Sequence, residues 1–509
     1  MAGRVQKTLK NARVNLLFYF LSLFFAFFSR KIFLDSLGAD FIGLTGTLGS
    51  ILGYLNLAEL GIGSAISVFL YKPLQQNNRE DINEILSVFA YLYRRIGWTI
   101  LLGGVAISLF FPLIFGNTDI GMGIIYFSFY SFLFSSLSGY FINYRQILLN
   151  ADQKTYIVSI YFQSANLIKT AIQIFLAYNY ENWFLWVSIE LIFSVMACVI
   201  LNWKIAQEYH WLRTNISSGK ELLKKYPNII SNTKQIFIHK IKDFILTKSD
   251  EVLIFIFVSL KMVAYYGNYV MIINKVSLFF ISLFDGVLAG VGNLVAEGEK
   301  KKMMNVFWEL MLIRHFIAGF ICVSLYFLIN PFIILWLGEE YLLDNIILIL
   351  LLINLYIAQS RGAVDMFNHA HGLYADTWSA WVELVLNLFI TIVVGYYYGL
   401  IGLLLGKIIS ILIIVVFWKP YYLFSSGFHL PISQYWRGAL KYYLINIVSF
   451  SVTYLFNEYV IKRTITNLFD FIIYALSLVG VYIIINILLM YLFANGTKLL
   501  VERIKKIRR

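Results

Sequence analysis

Eight basic residues, Arg30, Arg145, Lys169, Lys248, Lys275, Arg314, Arg361 and Lys407, and five acids, Glu59, Asp250, Asp285, Asp365 and Glu383, lie within stretches that are otherwise apolar. In hydrocarbon a charge costs at least about 2.5 kcal/mol, so such residues face a protein interior or a hydrated cavity. The basic set suits an anion, because Arg and Lys replace the water that a phosphate loses on entering a low dielectric. The acids are candidates for binding a coupling proton or sodium ion. Opposite charges also pair with each other, as Arg361 and Asp365 can across one helical turn. Arg30, Lys31 and Arg145 lie near the ends of apolar runs, where long side chains reach back toward headgroups.

The polar residues keep helical registers. Asn15, Ser22 and Ser29 recur every seven residues, and Asn56, Glu59, Gly63 and Ser67 follow at intervals of three and four. A denser stripe holds Lys240, Asp243, Thr247, Asp250 and Glu251, with Lys248 three residues before Glu251. Asn268, Lys275, Ser282 and Asp285 form a fourth stripe, and Asn354, Arg361, Asp365 and Asn368 a fifth.

These stripes ride on apolar runs that set the class of the protein. About fourteen runs are each long enough to cross roughly 30 Å of hydrocarbon as a helix, at about 14-36, 41-69, 87-114, 122-148, 155-178, 184-205, 236-259, 264-295, 304-334, 345-367, 376-397, 400-423, 438-457 and 470-494. The composition is 60% hydrophobic and 18% aromatic, with six prolines in 509 residues, so little chain remains for a water-soluble domain and most helices are unbroken. The expected class is an all-α polytopic membrane protein. Lys and Arg crowd residues 4-13, the segment 206-235 and the tail from Lys498, all on one side if every run spans, which predicts both termini cytoplasmic.

The same asymmetry accounts for the net charge of +13 through contacts with anionic headgroups and leaves no basic soluble surface for nucleic acid. Cys198 and Cys322 lie singly inside runs and form neither a disulfide framework nor a metal site. His369-Ala370-His371 has no further ligand nearby, Gly61-Ile62-Gly63 and Gly290-Val291-Gly292 lack the strand context of a phosphate loop, and no GxxxxGK[ST] motif occurs. The residues offer no catalytic constellation, no cofactor site and no metal site. Most of the 35 Tyr and 44 Phe read as interfacial belt and lipid-facing filler, with Tyr265, Tyr266 and Tyr269 offering faces to sugar rings.

The chain reads as duplicated. Leu37 and Leu260 are offset by 223, Gly43 and Gly267 by 224, and Gln163/Glu383 and Tyr178/Tyr398 both by 220. A near-constant offset favours two six-helix lobes in a parallel repeat, with a substrate path between them. The expected organisation is an N-lobe at 1-205, a cytoplasmic linker at 206-235, a C-lobe at 236-424, and two further helices with a basic tail at 425-509. The last pair packs against a lobe or forms a groove for a lipid tail.

Three segments carry a family resemblance: LGADFIGLTGTLGSILGYLNLAELGIGSAISVFLYKPL (37-74), KSDEVLIFIFVSLKMVAYYGNY (248-269), and the run from Asn368 through Gly372, Asn387-Leu388 and Tyr398-Gly399-Leu400-Ile401-Gly402 to Gly406. They resemble bacterial polysaccharide flippases of the Wzx type, O-antigen and capsule exporters of the MATE-like MOP superfamily, over roughly the first 425 residues. The resemblance implies a V-shaped pair of six-helix bundles that moves undecaprenyl-pyrophosphate-linked sugar units across the inner membrane by alternating access. It also implies membrane-lipid contacts, and polysaccharide polymerase and glycosyltransferase partners. Asp250 in Lys248-Ser249-Asp250 matches the family's acid in the seventh helix, and Ser29-Arg30 matches the Ser-Arg of its first. Fourteen spans, where many such flippases have twelve, also occur in related lipid II flippases. The alternatives are a lipid II-type flippase, a MATE-type drug or cation antiporter, which needs an acidic or aromatic cavity, and a membrane glycosyltransferase or ligase, which needs a larger outer loop than any here.

Overall fold

A computed structural model of the chain describes residues 2-59, 62-282, 284, 287-373, 376-461 and 465-507. The fold is all-helical, and contacts divide it into two compact units, residues 1-264 and 265-509.

Unit 1 contains α1 (Ala2–Leu37), α2 (Ala39–Leu55), α3 (Ile62–Gln76), α4 (Arg79–Ser108), α5 (Met122–Phe141), α6 (Thr155–Tyr180), α7 (Trp183–Glu208) and α8 (Asn228–Phe257). Local chemistry sets the boundaries. Gly38, at φ +86°, takes a backbone conformation that side chains disfavour and separates α1 from α2. Asn78 and Asn182 cap α4 and α7, accepting from the amides of Asp81 and Leu185 at 3.2 and 3.1 Å. The second apolar run is broken: α2 ends in a tight 3-10 turn, Asn56–Glu59, before α3 begins.

The polar stripe of α1 is turned toward α6. Asn11 Oδ1 accepts from the amide of Tyr156 at 2.8 Å, and Asn15 Oδ1 accepts from Ser159 Oγ at 2.8 Å. The opposite face carries Leu16, Phe20, Phe24 and Phe28, all more than half exposed, a surface that only lipid stabilises. Phe41 stacks on Trp183 at 5.2 Å and meets Trp186 edge-on at 5.8 Å. The Trp183 indole donates to the carbonyl of Leu37 at 2.9 Å, joining α7 to the α1–α2 corner.

The first compact unit runs through the expected linker at 206-235 and ends at Ala264. The physical reason is that α8 packs on α2 and α3. The 206-235 segment is itself folded against α4. The amides of Arg213 and Asn215 donate to Asn83 Oδ1 and Ser87 Oγ, both at 2.9 Å, and Lys225 Nζ sits 2.6 Å from Glu84 Oε2. Nearby, burial disfavours the charged form of Lys154, but the hydrogen bonds its ammonium donates to Asp152 and Glu208 outweigh it and raise its pKa.

Unit 2 begins within α9 (Leu260–Ser282) and continues through α10 (Val287–Glu297), α11 (Lys300–Trp336), α12 (Asn345–Ser360), α13 (Gly362–Ala370), α14 (Thr377–Ile411), α15 (Ile432–Phe456), α16 (Leu468–Phe493) and α17 (Asn495–Ile507). Within α14 the chain reverses at Gly399, which has φ +54°. A Cβ on Gly402 would fall 2.2 Å from the Val394 carbonyl oxygen, whereas residues eight apart on a straight helix are separated by about 12 Å. The eleventh and twelfth expected spans are therefore an antiparallel hairpin. Thr391 Oγ1 donates to the Leu403 carbonyl at 3.5 Å, and Asn387 Nδ2 to Ser410 Oγ at 3.3 Å.

Nine helical stretches among the described residues are long and apolar enough to cross a membrane, one of them, Trp378–Phe428, holding both arms of this hairpin. The other expected spans are also helical, but broken, as α2–α3 is, or richer in polar residues, as α8 is.

The last two long helices are attached through a buried polar hub. Asn446 of α15 donates through Nδ2 to the carbonyls of Tyr442 and His315, at 2.9 and 3.3 Å. Its Oδ1 accepts from Tyr482 Oη at 2.7 Å and from Asn486 Nδ2 at 3.2 Å, both on α16. Gly319 on α11 makes room, since a Cβ there would fall 1.8 Å from Asn446 Oδ1 and 2.2 Å from Tyr482 Oη. Overpacking of this kind costs about 1-3 kcal/mol before the displaced hydrogen bonds are counted. Gly319→Ala should lower the thermal midpoint of the purified protein by several degrees, whereas Gly290→Ala, with open space around its Cβ position, should leave it unchanged; a thermal scan in detergent measures both.

Candidate functional site

In unit 1 the break between α2 and α3 presents Glu59 to two tyrosines. Tyr93 of α4 donates to Oε1, and Tyr140 of α5 donates to Oε2 at 2.5 Å. Asn56, one turn earlier, accepts through Oδ1 from Tyr140 and Ser136, each at 3.2 Å. The carboxylate thus gains charge-assisted bonds inside an apolar bundle, and the unwound turn that carries it is held between α4 and α5.

Arg30 donates through Nη2 to the Ala264 carbonyl at 3.0 Å. Arg145 lies beyond the end of α5, where it donates to Tyr144 Oη and Thr214 Oγ1 at 3.3 and 3.0 Å, within the folded 206-235 segment. Lys169 forms an ion pair with Glu190 at 2.8 Å, so its charge is balanced on the neighbouring helix. On α8, Lys248 is exposed, Asp250 is partly buried, and Glu251 accepts from Ser50 Oγ at 2.5 Å. The side chains of Lys240, Asp243 and Thr247 lie outside the described residues.

Unit 1 also contains a cavity of about 790 Å³ where α2, the end of α4 and α8 meet. Ile51, Val252, Phe255 and Leu260 line its apolar part, and Asp40 and Asp119 are its charged residues.

Unit 2 assembles a different group. Arg314 on α11 is 7% exposed, with its guanidinium 3.6 Å from the centroid of the Phe284 ring. Gly362, the first residue of α13, leaves the space it occupies, since a Cβ there would fall 2.7 Å from Arg314 Nε and Cζ. The Nε has no hydrogen-bond partner among the described residues. Asp365, the carboxylate acting electrostatically on Arg314, is bonded by Arg361 Nε at 3.0 Å. Arg361 and Asp365 thus pair at the α12–α13 break, with Arg314 buried on α11 within electrostatic reach of the same carboxylate.

Lys275, Lys407 and the buried Glu383 each make a polar, ionic or ring contact, and Asp285 lies outside the described residues. Tyr269 is committed to the core: its hydroxyl donates to Asn330 Oδ1 at 2.7 Å and accepts from the Leu343 amide at 3.0 Å. Tyr266 is buried, and Tyr265 rests on Tyr341, so burial withdraws Tyr266 and Tyr269 from sugar stacking. Sequence reasoning did not single out Tyr93 and Tyr140 as partners of Glu59, nor Phe284 as the ring under Arg314. One-residue aromatic signals are lost among 79 Tyr and Phe.

This is a multi-pass membrane protein with a MATE-like and MurJ-like helical fold. It is similar to an inward closed structure of the lipid II flippase MurJ, with a TM-score of 0.61 and 18% identity over 94% of this chain and 99% of that one. It is also similar to an inward-facing multidrug resistance MATE family transporter of the MOP superfamily, with a TM-score of 0.57 and 14% identity over 80% of this chain and 93% of that one. Both neighbours are transport proteins. No family model matches the sequence. No curated protein matches it either.

Hydrogen bonds to a charged group contribute about 1.5-3 kcal/mol each. Tyr93→Phe and Tyr140→Phe should each lower stability within that range, and the double variant should cost less than the sum because both act on one carboxylate. Unfolding of the purified variants, compared as a double-mutant cycle, measures the coupling.

Proposed function

We propose that this protein is a flippase of the bacterial inner membrane that translocates undecaprenyl-pyrophosphate-linked oligosaccharide repeat units by alternating access, with both termini cytoplasmic. The observation that carries the reading is Arg314, a buried guanidinium on a long apolar helix whose Nε has no hydrogen-bond partner among the described residues. A buried guanidinium is costly in a membrane span and is kept where it has a use, and a forked guanidinium binds phosphate oxygens bidentately.

The fold likeness lends support. The match to the lipid II flippase leaves too few residues outside it to contain all of 425-509, whereas the match to the drug transporter leaves more residues outside it than that segment has. A polyprenyl tail stays in lipid while only the glycan and diphosphate need shielding, which limits the desolvation cost. Outward passage of two negative charges is favoured by roughly 4-5 kcal/mol per 100 mV when the cytoplasm is negative. Glu59, Asp250, Asp365 and Glu383 are the described candidates for coupling a proton or sodium ion to the return step, Asp285 lying outside the described residues. Partner polymerases and glycosyltransferases would act on the same lipid-linked units.

A MATE-type cation or drug antiporter is the second reading, and the cavity of unit 1 favours it through Asp40 and Asp119. Vesicles reconstituted with the purified chain separate the two. Loss of one charge-assisted contact is worth about 1.5-3 kcal/mol, or roughly ten- to a hundredfold in rate. Arg30→Gln, Lys275→Gln and Arg314→Gln should each slow translocation of the diphosphate-linked saccharide at least tenfold while leaving membrane abundance intact. Wild-type rates in all three, or exchange of cationic dyes with no lipid movement, would overturn the proposal.

A further inference from the structure

At one end of unit 2 the start of α15 and the end of α16 meet α11 around a cavity of about 460 Å³, lined by Trp308, Gln434, Arg437, Gly438, Lys441 and Ala494 among others. Gln434, Arg437 and Lys441 follow at intervals of three and four, which places them on one face of α15. Both cations are exposed, and neither makes an ion pair among the described residues. No carboxylate is among the described lining residues. The nearest acid in sequence on α11, Glu309, is taken by Arg503 of α17 at 3.1 Å.

The floor is built rather than incidental. A Cβ on Gly438 would fall 2.1 Å from Trp308 Cη2, so the bare backbone lets the indole lie against α15 beside the two cations. Tyr442 Oη holds that position by donating to the Trp308 carbonyl at 3.2 Å, and Gly496 admits both groups, its Cβ position lying 2.5 Å from the same carbonyl. The cavity sits where two spans end and α17 begins, the depth at which tryptophan and basic side chains meet phospholipid headgroups. The first turn of α15 adds amide donors and the positive end of the helix dipole.

We propose that this cavity is a binding site for an anionic phospholipid headgroup, one phosphodiester being held jointly by Arg437 and Lys441, with Gln434 reaching its ester or glycerol oxygens and Trp308 packing on the glycerol backbone. Side chains four apart on a helix have Cβ atoms about 5-6 Å apart, a span that a single phosphate can bridge. The site is independent of the translocated cargo and makes the attachment of α15 to α11 sensitive to the charge of the surrounding lipid.

Native mass spectrometry of the full-length protein in neutral detergent, titrated with phosphatidylglycerol, tests this. One phosphatidylglycerol should be retained at energies that strip phosphatidylcholine. Arg437→Gln/Lys441→Gln should weaken its retention about tenfold, whereas Lys220→Gln, an exposed cation elsewhere, should not. Arg437→Lys/Lys441→Arg keeps both charges and should keep the lipid, which guards against a merely misfolded variant. Equal retention in the charge-removed variant, equal retention of phosphatidylcholine, or full competition by inorganic phosphate at the lipid's concentration would overturn the assignment.

Discussion

Hydrocarbon supplies no hydrogen bonds, so every polar group carried into the membrane must find its partner within the protein or in water that the protein admits. Much of the chain's architecture follows from that single constraint. The helices satisfy their own backbones, and their outward faces, such as Leu16, Phe20, Phe24 and Phe28 on α1, are surrendered to lipid. What distinguishes the protein is what it does with the polar side chains that remain. Some are spent on cohesion. Asn446 links α11, α15 and α16 through one amide, and Asn11 and Asn15 fasten α1 to the α6 region. Such bonds replace the hydrophobic drive that lipid-soluble helices lack.

Others sit at breaks. Glu59 lies on the 3-10 turn between α2 and α3, Arg361 and Asp365 at the step from α12 to α13, and the α14 hairpin turns at Gly399. A helix interrupted in the membrane exposes backbone groups that only protein or water can satisfy, and so interruptions gather charged side chains around them. Ion pairs such as Lys169–Glu190 are neutral and structural. Arg314 is held over Phe284 with an Nε that no described residue satisfies. The proposed anionic cargo rests on this buried guanidinium.

The membrane class and the all-helical fold were legible in the sequence because runs of some 20 apolar residues have few other physical uses. The reversal at Gly399 was legible as a glycine between two runs that together exceed any bilayer, whereas the second run read as one span over 41-69 and its break at Asn56–Glu59 was not. Less was legible where long-range packing decides. The packing of α8 on α2 and α3 could not be read from hydropathy, since it depends on which side chains interlock and not on chain order. Likewise, a count of basic residues does not separate the paired Lys169 or the peripheral Arg145 from the buried Arg314. That distinction lives in partners far away in sequence, namely Glu190, Thr214 and Phe284.

The central claim is that positive charge within the spans exists to carry a negative headgroup, and the most direct test varies the charge of the cargo rather than the protein. In vesicles containing the purified chain, translocation of one oligosaccharide should be compared when it is joined to the polyprenyl tail through a diphosphate and through a neutral ether. The account predicts rapid movement of the diphosphate-linked form and movement of the neutral form no faster than in protein-free vesicles. Equal rates for the two would contradict it.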